Sequence, residues 1–145
     1  MGFWSKLWSG LVGSKSGDLI DERSLNRAAL PVPHSDEPAR ETFGVTAHDP
    51  VLCDLPAGEQ LYIVTLRCPQ GHRLSGPRLG SMSGKCTDPK HHQSLFPSEN
   101  PAEECIVDCY DLVCEEGEYS CKLYFDMYHP NPPPQPAPRG MTRVG

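Results

Sequence analysis

Apolar residues are scarce in this chain. They fill 37% of its 145 positions, against roughly 45–50% in an ordinary globular domain. Nowhere do they form the run of about 20 that a membrane-spanning helix needs. The length and the thin apolar content leave room for one small domain rather than two. A basic surplus is also missing: the net charge is −6, which argues against a general nucleic-acid binder. Nor does the start of the chain read as a secretory signal, because Ser5, Lys6, Ser9 and Gly10 interrupt its apolar residues. The expectation is a cytoplasmic protein whose thiols stay reduced.

Catalytic signatures are equally thin. Residues 80–84 place three residues between their glycines where a P-loop needs four, and Cys86 stands where that loop carries Ser or Thr. Met82 takes the serine position of a nucleophile elbow. Asp108 and Asp111 fall on opposite faces of a strand, so they do not share a proton. Cys68 with His72, or Cys53 with His48, supplies the raw material for a metal- or thiol-dependent enzyme, but no third residue is marked out to orient the pair. A non-enzymatic protein is the favoured expectation. There is no C-x2-C pair and no internal repeat.

What is present is uneven. The 16 prolines and 13 glycines gather in residues 31–58, 69–101 and 130–140. Charge is sorted as well: residues 67–90 hold five basic residues and one acid, whereas residues 99–118 hold eight acids and no base. Residues 60–67 are rich in β-formers and predict a strand. Residues 105–114 and 119–127 alternate with period two and predict a hairpin turning through Glu115-Glu116-Gly117-Glu118. The fold class is therefore α+β and mainly β: a three- to four-stranded antiparallel sheet with a long loop over 69–101, stapled by zinc, and an N-terminal amphipathic helix. The divisions are residues 1–12 as that helix, 13–50 as a flexible linker with a short helix over 18–30, 51–129 as the β-rich core, and 130–145 as a proline-rich disordered tail.

Four features carry candidate chemistry. Cys68-Pro69-Gln70-Gly71-His72 puts a thiol and an imidazole on one turn, and Cys86 with His91 or His92 supplies a second pair, a set that suits tetrahedral zinc. The motif is similar to half of a zinc-ribbon knuckle. Cys105, Cys109, Cys114 and Cys121 split two and two across the hairpin faces, with Cys114 and Cys121 on one side as core residues or a disulfide. A mixed site, in which one of these sulfurs joins Cys68 and His72, is a further option. Arg67, Arg73, Arg78 and Lys85 around the glycine–serine stretch 80–84 form a candidate anion site. Last, Phe3, Trp4, Leu7, Trp8, Leu11 and Val12 share one helical face. About three turns of helix are marginal alone, so this face must lie against a protein partner, a membrane surface or the protein's own core. The functional expectation is an interaction module or accessory subunit that binds zinc and docks to a partner through its N-terminal helix. The alternatives are an enzyme using Cys68 and His72, and a peripheral membrane protein held by residues 1–12.

Overall fold

The structure, a computed structural model, describes residues 28–85 and 104–145. It is mostly β with one short helix. The elements are β1 (Val51–Leu52), α1 (Leu55–Thr65), β2 (Leu66–Arg67), β3 (Leu74–Ser75), β4 (Arg78–Lys85), β5 (Glu104–Cys114), β6 (Ser120–Asp126) and β7 (Thr142–Arg143). Five of the strands form one sheet in the order β1-β6-β5-β3, with β4 also paired to β5; β2 and β7 make a separate antiparallel pair. The main sheet is mixed rather than purely antiparallel, because β1 runs parallel to β6. The expected N-terminal helix and the short helix over 18–30 fall on residues outside those described or at their edge.

The hairpin follows from its sequence. Leu112 pairs with Cys121, Tyr110 with Leu123 and Asp108 with Phe125, so every second residue of both strands reaches the core. Leu112, Leu123 and Phe125 have no exposed surface. The Phe125 ring takes Tyr62 and Tyr110 edge-on, with centroids 5.7 and 5.4 Å apart, a favoured aromatic geometry.

Residues 60–67 depart from the expected strand. The chain is helical through Thr65, and only Leu66–Arg67 is extended. Pro56 sits in the first turn, where its missing N–H costs nothing. Gly58, Glu59, Tyr62 and Ile63 are buried, a 3.6-residue rhythm. The β preference of Tyr62, Ile63, Val64 and Thr65 gives way to the burial of this face. The glycine–serine stretch 80–84 likewise does not form a turn: it belongs to β4, paired with β5 from Gly80↔Cys109 to Gly84↔Cys105.

The segments flanking residues 51–129 are part of the fold where they are described. Val32 and Phe43 are each 3% exposed and Gln135 is 5% exposed, unlike a flexible linker and a disordered tail. Proline-rich chain lacks N–H donors but keeps its carbonyls, and core side chains bond to these. Tyr62 donates its hydroxyl to Pro136 O at 2.7 Å. The Arg143 guanidinium donates to Val32 O, Pro33 O, Gln135 O and Thr65 Oγ1 and lies over the Tyr62 ring. The Gln135 amide donates to Leu52 O and accepts from Leu52 N–H, filling the outer edge of β1 as another strand would.

Candidate metal centre

Two turns of the same construction meet at one end of the sheet. In the first, Cys68-Pro69-Gln70-Gly71, the Gly71 N–H donates to Cys68 O at 2.8 Å. In the second, Cys114-Glu115-Glu116-Gly117, the Gly117 N–H donates to Cys114 O, also at 2.8 Å. Gly71 and Gly117 have φ of 88° and 73°, a conformation that glycine adopts without strain. In each turn the cysteine sulfur accepts from the backbone N–H four residues on: His72 to Cys68 at 3.3 Å, and Glu118 to Cys114. Residues 73–75 carry the first turn across to the second. Leu74 pairs with Cys114, and the Glu115 N–H donates to Arg73 O at 3.0 Å.

This docking brings Cys68, His72 and Cys114 together, with one ligand atom from each lying within 4.8 Å of the others. Cys68 Sγ is 3.6 Å from His72 Nδ1. Cys68 and Cys114 are 1% and 2% exposed, and His72 is half-buried. Burial pushes the Cys114 thiol up, but backbone N–H groups of Tyr119, Glu118 and Glu116, with the His72 side chain, outweigh it and bring the thiol down to about 7. A thiol so placed is readily a thiolate, the form that ligates metal. Two sulfurs and an imidazole nitrogen are a donor set for a soft divalent ion of the zinc type. These three residues can hold a metal ion.

Among the described residues, no other candidate ligand joins this cluster. Cys86, His91 and His92 lie outside the described residues. The Cys121 thiol is pushed up to about 11, chiefly by burial and then by Asp111, and Cys114 and Cys121 are both free rather than a disulfide. Cys53 is fully buried, and burial, followed by the surrounding carboxyl groups of Glu59, Asp126, Asp108 and Asp54, pushes its thiol well up. His48 is exposed. That setting opposes a Cys53–His48 nucleophile.

The candidate anion residues are dispersed. Arg67 donates to Val64 O and Leu66 O at the end of α1. Arg73 is exposed. Arg78 lies 3.4 Å from the buried Asp108 carboxylate. The paired strand β4 replaces the free-amide turn that would have gathered them.

One cluster has no counterpart in the sequence reading. Glu59 of α1 and Asp108 of β5 are 0% and 1% exposed. Tyr110 donates its hydroxyl to Glu59 Oε1 at 2.9 Å, and Gln60 donates to Tyr110 at 3.1 Å. Glu59 Oε2 and Asp108 Oδ2 meet no N–H or O–H donor. Burial, then the Asp108 charge, holds the Glu59 carboxyl well above its usual range, which favours the protonated form, with the Glu59 hydroxyl as the donor in its hydrogen bond with Asp108. Arg78 alone would not neutralise two buried carboxylates.

Comparison of the chain with protein-family models, with curated protein sequences and with solved structures gives no match. No helix among the described residues is long and apolar enough to cross a membrane.

Proposed function

We propose that this protein is a non-catalytic interaction module whose fold is stapled by zinc at Cys68, His72 and Cys114, with residues 1–12 as its docking segment. The observation that carries the reading is the meeting of two like turns, each presenting an amide-bonded cysteine sulfur to the same point. Such sulfurs are oriented by the backbone before metal arrives, the arrangement of a structural site rather than a surface accident. Zinc would be four-coordinate, and the fourth place falls to water or to a nearby side chain. A metal is useful to a domain of this size with so little apolar residue to bury.

A structural role is favoured over an enzymatic one by the setting. Both sulfurs are buried, and neither of two surface cavities touches the cluster: both lie along residues 34–52 and 133–143. An enzyme using Cys68 and His72 needs a solvent-reachable thiolate. Metal analysis of the purified protein tests the proposal. One equivalent of zinc is expected, lost in Cys68→Ser and in Cys114→Ser. A folded, metal-free protein would remove the staple. Rapid thiol labelling of the zinc-loaded protein, with a midpoint well below pH 8, would favour the enzyme instead.

A further inference from the structure

The outward face of α1 has the wrong chemistry for a surface helix. Its exposed residues are Ala57, Gln60, Leu61 and Val64, at spacings i, i+3, i+4 and i+7, which is one continuous stripe. None is charged. Leu61 is 39% exposed and Val64 64%. Further exposed apolar residues flank both ends of the helix. Leu30, 47% exposed, lies at the first turn, with its carbonyl oxygen beside Gly58 and its N–H bonded to Asp54. Val144, 43% exposed, donates its N–H to Thr65 O at the last turn. Half of the large apolar residues exposed among those described thus border this one helix. A helix that is apolar on both faces is ordinarily covered on both, and a contiguous apolar patch marks a contact surface.

The chain itself supplies a cover of matching chemistry and length. Residues 1–27 precede Ala28 and enter the described structure two residues before Leu30, at the rim of the patch. Within them, Phe3, Trp4, Leu7, Trp8, Leu11 and Val12 form an apolar helical stripe. Twelve helical residues span about 18 Å, against about 16 Å for the eleven of α1. The intervening residues 13–27 begin Gly-Ser-Lys-Ser-Gly, and a stretch of that length reaches about 20 Å whether it is coil or partly helical. It holds the segment near the patch at an effective concentration on the order of millimolar.

We infer that the segment 3–12 docks along the Ala57–Leu61–Val64 stripe of α1, covering that face while the protein is free. The inference rests on residues 1–12 being a docking segment and is independent of the metal. An external partner would then have to displace the segment from α1.

Tryptophan emission tests this directly, because the chain's two tryptophans, Trp4 and Trp8, both lie in the segment. For the full chain, the expected emission is blue-shifted from that of tryptophan in water, resists acrylamide quenching and does not change on dilution. Leu61→Glu/Val64→Glu, a change on an exposed face, should remove both the blue shift and the protection. Leu7→Glu/Leu11→Glu should do the same without touching α1. Zinc content, measured on the same samples, should be unaffected, which separates this inference from the stapled-module reading. Water-like emission in the unmodified chain would overturn it, as would a blue shift that survives either pair of substitutions. A shift that fades on dilution would assign the stripe to a second copy, and one that arises only with anionic lipid vesicles would assign the segment to a membrane surface; either result also overturns the inference.

Discussion

The two ends of β6 are fastened in opposite ways. At the Ser120 end, two short turns meet and bring together Cys68, His72 and Cys114, which can hold a metal ion. At the Asp126 end, β1 lies against β6 and is closed from outside by Gln135, 83 residues away from Leu52 in the chain. Arg143 extends that closure, tying carbonyls of Val32 and Pro33, 111 and 110 residues away. On the proposed reading one end depends on coordination chemistry, whereas the other depends on side chains bonding to proline-rich backbone. Each end should therefore fail to its own perturbation and leave the other standing.

Stripping zinc should have the largest effect. Structural zinc contributes directly to folding, so chelation is expected to lower the melting temperature by about 10 °C or more. Amide exchange should rise first around Cys68, Leu74 and Cys114, while the Leu52 amide stays protected. Equal loss of protection at both ends would break the comparison. Arg143→Met comes next, since it leaves the carbonyl of buried Val32 without its donor and strips Pro33 O and Gln135 O of one of their two donors. A cost of about 3 kcal/mol is expected in denaturant unfolding, with zinc content unchanged. Gln135→Ala should cost about 2 kcal/mol by the same measurement and expose the Leu52 amide to exchange.

The smallest effect is electrostatic and lies between the two ends. Because Glu59 is protonated in the fold at pH values where the unfolded chain has already lost that proton, stability should fall as pH rises from about 4.3 toward the raised folded value. The slope is at most about 1.4 kcal/mol per pH unit. Glu59→Gln keeps a donor toward Asp108 and an acceptor for Tyr110 but has no proton to lose. Its unfolding free energy should lack that falling limb, and a limb that persists would place the proton elsewhere.

The contrast between the ends also explains what was legible in the sequence. The hairpin could be read because period-two alternation and the Glu115–Glu118 turn are local signals. Cys68 and His72 were visible for the same reason. Cys114 was one of several open partners, although a signal for it existed: Cys114-x2-Gly117 repeats the spacing of Cys68-x2-Gly71. Residues 60–65 misled because Tyr62, Ile63, Val64 and Thr65 carry a β preference that the packing of Tyr62 and Ile63 overrides. Glu59 and Asp108 gave no sign, since a buried carboxyl pair is defined by burial alone. The Gln135 and Arg143 closures were invisible because they pair residues about eighty or more positions apart, and composition alone marked their segments as loose.

The most direct test of the centre is the zinc X-ray absorption spectrum of the purified, full-length protein. Ligation by Cys68, Cys114 and His72 predicts two sulfur scatterers at about 2.3 Å and two lighter nitrogen or oxygen scatterers at about 2.0–2.1 Å. A shell of four sulfurs, or one with no sulfur, would contradict it.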